Sequence, residues 1–283
     1  MQEISIKNEK QTRKHLQKIT VFPFQTTFLK VKKSYLCTKQ FIMLSLFKSK
    51  PKLVELLPAN YVDIHSHILP GIDDGAKTLD DTQFLLEEMK QLGFTKCITT
   101  PHTMNNVWDN TPETISAAHN KVETSLALPF EIKAASEYLL DESVIAKAKE
   151  KTLLTLKGNF VLVELSYLNA PFQLYDFLFQ LQLYGYQVVL AHPERYSYFH
   201  SNKKEYQKLK KAGCLFQLNL LSTVGYYGKE VAKTADYLLK NNLYDFVGSD
   251  IHHKKHIKAF QSKIVYNNGD KITEVMKRNV FFK

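Results

Sequence analysis

The stretch Tyr61-Val62-Asp63-Ile64-His65-Ser66-His67 starts as a β-rich apolar run and ends in two imidazoles separated by one residue. Outward from it the same unit recurs: a short apolar run, a polar or ionisable residue at its end, then a segment with helical spacing. The further runs are residues 96–100, 131–135, 160–164, 187–191, 215–219 and 244–248, which makes seven in all. Helices are predicted between them. Leu79 to Leu92 has helical periodicity and stops at Gly93, and Thr111-Pro112-Glu113 reads as a cap with proline in the first turn. Other helices are expected near residues 141–151, 171–184, 203–212, 229–241 and 270–278. Parallel strands joined by helices form either an open doubly wound sheet or a barrel, and both collect chemistry at the carboxyl ends of the strands. An open sheet brings only its switch-point strands to one ligand, whereas a barrel gathers every strand end around one mouth. Candidate ligands at six of the seven ends therefore favour an α/β fold of the seven-stranded βα-barrel kind.

The chain has 283 residues, 44% of them hydrophobic, enough for a sizeable core in one large domain or two small ones. Its net charge of +10 is unevenly spread. Residues 1–60 carry 12 basic and 3 acidic side chains, and residues 61–283 carry 26 and 25. The body is thus nearly neutral and lacks the basic surface that nucleic-acid binding needs. No apolar stretch approaches the roughly 18–20 residues of a membrane-spanning helix. Met1 to Lys10 has neither the basic nor the apolar region of a secretory signal. Cys37, Cys97 and Cys214 are odd in number and far apart, which suggests neither a disulfide framework nor a zinc ribbon, so a reducing, cytoplasmic setting is expected. Residues 1–42 read as a basic, disordered extension, 43–60 as a lead segment and 61–283 as the main domain. Met43 is an alternative start; losing the preceding 9 basic and 2 acidic residues would take the net charge from +10 to +3.

The chemistry-bearing pieces are Asp63-Ile64-His65-Ser66-His67, Asp73-Asp74, Thr100-Pro101-His102, Glu137, Glu164, Ala191-His192-Pro193-Glu194-Arg195 and Ser249-Asp250-Ile251-His252. Strand alternation puts His65 and His67 on one side, as it does Asp250 and His252, so each pair can grip one ion. Imidazoles and carboxylates without thiolate suit Mn, Fe or Zn, and a carboxylate can bridge two ions. Each piece alone has an ordinary reading. An H-x-H pair arises by chance, His102 and His192 beside prolines can be turn residues, Asp74 sits in the turn Gly71-Ile72-Asp73-Asp74-Gly75, and Glu137 can be solvated. Glu164 is harder to dismiss, because it follows an apolar run where an unpaired charge is costly. The recurrence of such residues at one position of successive units makes a polynuclear metal site the expectation.

On these motifs the chain resembles the polymerase and histidinol phosphatase (PHP) superfamily, and within it the bacterial capsular-polysaccharide protein-tyrosine phosphatases. The resemblance covers about residues 43–260 and rests on D-I-H-S-H-I-L-P-G-I-D-D-G at 63–75, T-P-H at 100–102, A-H-P-E-R-Y at 191–196 and S-D-I-H at 249–252. It implies a distorted seven-stranded βα barrel with two or three divalent ions at the carboxyl ends of the strands, manganese first and iron, zinc or cobalt as alternatives. Carried over by motif, His65, His67, Glu137 and Asp250 would hold one ion. Glu137, Glu164 and His192 would hold a second, with Glu137 bridging, and Asp74, His102 and His252 a third. Arg195, counted with Asp250 and His252 as catalytic, is the expected planar donor to phosphate oxygens, its ordinary reading being an ion pair with Glu194. The resemblance also implies an arginine several residues after the D-x-H motif, where this sequence has His253-Lys254-Lys255-His256-Ile257-Lys258. Lys255, His256 or Lys258 can supply charge there, but a lysine does not reproduce a bidentate fork.

Such a site suits hydrolysis of a phosphomonoester by a water that bridges and is activated by the ions, without a covalent enzyme intermediate. A phenol has a pKa of about 10, so phenolate leaves readily and no general acid is assigned. Cysteine phosphatases are excluded, since the residues six beyond the three cysteines are Met43, Thr103 and Leu220 rather than arginine. No phosphate-binding glycine-lysine loop is present. The expected activity is a metal-dependent protein-tyrosine phosphatase whose partner, from the resemblance, is a membrane-anchored tyrosine autokinase of capsule or exopolysaccharide biosynthesis. Two alternatives are a small-molecule phosphoesterase such as histidinol-phosphate phosphatase and a non-catalytic phosphotyrosine-binding scaffold, against which the complete ligand set argues. A homo-oligomer is compatible with all three. The tyrosine-rich residues 167–186 and 196–206 read as packing and helix-face aromatics rather than a docking surface.

Overall fold

The computed structural model describes residues 49–283. The predicted extension 1–42, the Met43 start and the beginning of the lead segment lie outside the described residues. From Lys50 the chain forms one compact unit. Leu53 is buried in a short 3-10 turn, and the amides of Leu53 and Val54 donate to the carbonyls of Ser262 and Phe260.

All seven predicted runs contain strand. β1 is Tyr61–Asp63, β2 Phe94–Thr99, β3 His102–Thr103, β4 Glu131–Ala134, β5 Glu137–Leu139, β6 Phe160–Glu164, β7 Gln187–Ala191, β8 Leu215–Asn219 and β9 Phe246–Gly248. The helices are α1 Leu79–Leu92, α2 Pro112–Ser125, α3 Glu142–Glu150, α4 Leu174–Leu183, α5 Lys204–Lys211, α6 Lys229–Lys240, α7 Lys254–Ala259 and α8 Gly269–Arg278. Their ends follow local chemistry. Thr78 and Asp81 cap α1 reciprocally and Gly93 closes it at φ 100°, Thr111 caps α2 ahead of Pro112, and Asp141 accepts two amides of α3. Helix α7 was not anticipated, because a run of three basic side chains and an imidazole masks its short apolar face.

Every ladder is parallel, as the expected α/β fold requires, but the ladders are not one uninterrupted sheet. They divide into a three-stranded sheet, β1-β2-β4, and a six-stranded sheet, β3-β5-β6-β7-β8-β9. Pro101 has no amide hydrogen and interrupts the run between β2 and β3; Ala135-Ser136 interrupts its neighbour between β4 and β5. Beyond the break His102 lies opposite Glu137 in the second sheet. At the other seam β9 and β1 are tied beyond their ends, by Asp250 N–H to His65 O (2.7 Å) and His67 N–H to Ile251 O (2.8 Å).

Both faces of the strands are apolar, as parallel sheets covered by helices require. Val161, Val163, Val188, Leu190, Phe216 and Leu218 pack in the large core that includes the helices. Alternate residues such as Val62, Ile98, Leu162, Val189 and Phe246 form a second cluster closed by Phe282. Between these layers the buried Asn279 side chain donates to Val62 O (2.9 Å) and Val247 O (2.8 Å) and accepts from Val247 N (3.1 Å), joining the two seam strands. Asn279→Ala leaves these groups without partners and is expected to cost about 2–4 kcal/mol of stability. Urea unfolding measures this, and a loss below about 1 kcal/mol would remove Asn279 as a seam tie.

Candidate metal centre

The strand ends deliver their side chains to one cavity of about 400 Å³. Two of the turns that do so are strained. His192 (φ 35°) and Asp250 (φ 52°) take left-handed backbone, uncommon for residues with a Cβ and typical of functional positions. The expected alternation is therefore not what unites Asp250 and His252, since β9 ends at Gly248 and the chain turns sharply at Asp250. The two still meet, with His252 Nδ1 3.4 Å from Asp250 Oδ1. Close approach also explains two glycines. A Cβ on Gly75 would lie 2.0 Å from His67 O, and one on Gly248 2.5 Å from the Cβ of His65.

All nine candidate ligands converge. The groups whose ligand atoms lie within 4.8 Å of one another are His65/His67/Asp250, His65/Glu137/His192, His102/Glu137/Glu164 and His67/Asp74/His102/His252. Glu137 belongs to two of them: its Oε2 is 3.1 Å from His65 Nε2 and 3.3 Å from His102 Nδ1, and its Oε1 is 3.0 Å from His192 Nε2. Glu164 Oε1 lies 3.0 Å from His102 Nδ1, so Glu164 and His192 approach Glu137 from different sides. Asp74, half-exposed, has its Oδ1 3.3 Å from His252 Nε2 and 3.5 Å from His102 Nε2.

Hydrogen bonding fixes which nitrogens face inward. His65 Nδ1–H donates to Gln217 Oε1 (2.9 Å), and His67 Nδ1–H donates to Asp73 Oδ2 (2.7 Å). Neutral rings so held present their Nε2 lone pairs to each other at 3.2 Å, with Asp250 Oδ1 3.3 and 3.5 Å away. Lone pairs and carboxylates aimed at one point repel unless a cation sits among them. His102 Nδ1 gives the same message: it is buried and near two carboxylates but hydrogen-bonds to neither. The same crowding of carboxylates favours a bound proton. Burial disfavours charged imidazole, yet Glu137 and Asp250 raise His65 to about 10, and Glu137 and Glu164 raise His102 to about 10. Burial would likewise raise Glu137, but His65 and His102 hold it well below the usual carboxylate range. The donor set therefore fits borderline divalent ions, whose binding displaces protons.

Arg195 does not pair with Glu194. The buried Glu194 carboxylate accepts from Asn219 N (3.0 Å), Ser222 Oγ (2.7 Å) and Tyr244 Oη (2.8 Å), anchoring the turn that carries His192 and Arg195. Arg195 Nη1 instead donates to Asp250 Oδ2 (2.9 Å), and its guanidinium lies 4.8 Å from the Tyr167 ring centre and 4.1 Å from that of Tyr227. Asn219 Nδ2 closes the circuit on Asp250 Oδ2 (2.7 Å) and Tyr227 Oη (3.1 Å). Of the three candidates for the absent second arginine, Lys255 and Lys258 are exposed and only His256 lines the cavity. Burial holds His256 down to about 3, and its Nδ1 accepts the His252 amide (3.1 Å), so it is a neutral ring.

Asp73 in Asp73-Asp74, and Gln217 and Asn219 within the run 215–219, have no role in the sequence reading. The signal for the latter two was period-2 polarity at the end of β8. Tyr227 had none, since Gly225-Tyr226-Tyr227-Gly228 reads as a turn.

The family model for capsular polysaccharide synthesis, CpsB/CapC, matches residues 61–282. Tyrosine-protein phosphatase YwqE of Bacillus subtilis (strain 168) is 30% identical over 198 residues, covering 69% of this chain and 78% of that protein. Tyrosine-protein phosphatase CpsB of Streptococcus agalactiae is 30% identical over 200 residues, covering 68% and 82%. Among solved structures, a chain from the work on YwqE of B. subtilis and CpsB of Streptococcus pneumoniae, described as unique metal-dependent tyrosine phosphatases, superposes with a TM-score of 0.66 at 27% identity. It covers 77% of this chain and 94% of that one.

Proposed function

The chain belongs to the capsular polysaccharide synthesis family CpsB/CapC, and from that premise we propose that it is a metal-dependent protein-tyrosine phosphatase acting on a tyrosine autokinase of capsule or exopolysaccharide biosynthesis, anchored at the membrane. The observation that carries this reading is the pair of Nε2 atoms of His65 and His67, 3.2 Å apart and faced by Asp250 and Glu137, with the Arg195 guanidinium beside them. His65, His67, Glu137 and Asp250 would hold one ion, Glu137, Glu164 and His192 a second, and Asp74, His102 and His252 a third, manganese being the first candidate. Bound ions of this type activate water near neutral pH and withdraw charge from phosphate oxygens.

The chain's own residues do the rest. Gln217 and Asp73 fix the tautomers of His65 and His67. Asp250 splits its duties: Oδ1 faces the imidazoles while Oδ2 accepts from Arg195 and Asn219. Held this way, Arg195 keeps its remaining N–H groups for the equatorial phosphate oxygens. Trp108 and Tyr167 supply aromatic wall to the cavity, suited to a phenyl ring. No helix among the described residues is long and apolar enough to cross a membrane, and Cys97 and Cys214 are free and buried. The proposed action is at the cytoplasmic side, where thiols such as these stay reduced.

Phosphate release from a tyrosine-phosphorylated peptide and from histidinol phosphate, measured with added Mn²⁺ and then chelator, tests the reading. Chelator-sensitive turnover favouring the peptide is expected; preference for histidinol phosphate would overturn the protein-phosphatase assignment.

A further inference from the structure

Residues 167–183 contain a single charged side chain, Asp176. They also contain six of the eleven large apolar or aromatic side chains exposed among the described residues: Tyr167, Leu168, Phe172, Tyr175, Phe179 and Leu183. The exposure is severe, with Leu168 at 88%, Phe172 at 100%, Phe179 at 65% and Leu183 at 69%. Phe172 lies just ahead of α4, Phe179 and Leu183 follow helical spacing on it, and α4 buries Leu174, Phe177, Leu178 and Leu181 on the side opposite those two. Such a concentration of exposed apolar side chains in one segment marks an interaction site. The sequence had assigned these aromatics to packing, which holds for the buried Tyr196 and Tyr206 but not here.

The strip begins inside the candidate site. Tyr167 lines the cavity, lies stacked on His192 with ring centres 5.8 Å apart, and follows Ser166, whose carbonyl accepts Tyr198 Oη (2.9 Å). Its neighbour Leu168 is already outside. From Tyr167 to Phe172 the chain spans at most about 18 Å, the length of about five extended residues. A polypeptide whose side chain enters the cavity beside Tyr167 has Leu168 one residue on and Phe172, just ahead of α4, within that span. A free phosphomonoester of metabolite size reaches none of these.

We propose that Leu168, Phe172 and the Phe179 side of α4 form the docking track for a polypeptide substrate, which lays uncharged, apolar residues within about five positions of its phosphotyrosine on them. This rests on the phosphatase reading and names the substrate class for the same site. Its start at a cavity-lining ring stacked on a site histidine and the single charge over residues 167–183 select this occupant.

The test uses the full chain with Mn²⁺ and three substrates: a phosphotyrosine peptide with apolar flanks, one with Asp/Glu flanks, and p-nitrophenyl phosphate. Wild type and the variants Leu168→Ser/Phe172→Ser and Phe179→Ser are compared. Burial of one or two such side chains predicts that wild type favours the apolar peptide about tenfold in kcat/KM and that the double variant loses this preference. Turnover of p-nitrophenyl phosphate stays unchanged. Equal kcat/KM for both peptides in wild type overturns the proposal, as does an equal loss on p-nitrophenyl phosphate, which would make the strip structural. Sedimentation read alongside covers a second copy as occupant: a dimer lost in the variants with peptide preference intact also overturns it. If wild type hydrolyses nothing, the phosphatase reading falls, and fluorescence anisotropy of the labelled peptides decides docking by the same tenfold criterion.

Discussion

Replacing Glu137 with glutamine is expected to lower turnover of a phosphotyrosine peptide by about 10³-fold or more, with matching loss of bound metal. The size follows from the Lewis-acid and water-activating contributions, each worth several kcal/mol at tenfold per 1.36 kcal/mol. Glu137 is the hub of the site: one carboxylate oxygen lies near His65 and His102, the other near His192. Glutamine keeps the shape but turns one acceptor into a donor and removes the charge that raises the neighbouring imidazoles. Metal content per chain, determined beside phosphate release, separates the outcomes. Loss of both supports the placement, whereas unchanged turnover at unchanged metal content removes Glu137 from the site. Circular dichroism checks that the fold survives; most of the core lies in other layers, so it should.

The sequence carried the strands and the convergence of ligands well, because both are local signals. Each strand is a short apolar run, and each ligand sits at its end. The helices were equally legible where periodicity or a cap marked them, as at Leu79–Leu92 and Thr111-Pro112, and least so at α7. The division into two sheets was not legible, although Pro101 stood in plain view. A proline shows that one amide is missing, but not that the ladder breaks there while keeping its register, Thr99 opposite Ala134 before the break and His102 opposite Glu137 after it. The same limit applies to Asp73, Gln217 and Asn219. Their roles depend on a hydrogen bond to a residue that is distant in sequence or indistinguishable by pattern from its neighbour, as Asp73 is from Asp74. Arg195 was singled out through its motif, and it is its ordinary reading, an ion pair with Glu194, that the structure overturns. Adjacency suggested Glu194, whereas the turn after His192 sends the two side chains in opposite directions, one to Asp250 and the other into the core.

Because Arg195 is the sole arginine lining the cavity among the described residues, Arg195→Lys is expected to reduce kcat/KM on a phosphotyrosine peptide by about 10²-fold, mostly in kcat. Lysine preserves the charge beside Asp250 but not the planar fork, so it cannot hold Asp250 and two phosphate oxygens in one fixed geometry. The fork is also braced: Tyr167 and Tyr227 flank the guanidinium, and Asn219 holds both Asp250 and Tyr227. An ammonium leaves the planar space between those rings partly empty. Since the equatorial oxygens gain their charge demand in the transition state, losing the fork should affect kcat more than KM, and inorganic phosphate should inhibit the variant only modestly less well. Metal content should match wild type, because Asp250 Oδ1, the oxygen nearest His65 and His67, is not the one Arg195 holds. A variant with wild-type kcat would reduce Arg195 to a structural partner of Asp250. A variant that also lost metal would show that the guanidinium acts by orienting Asp250, and the phosphate contact would then fall to the remaining cavity donors, of which His256, neutral and confined by its bond to the His252 amide, is poorly suited to replace a fork.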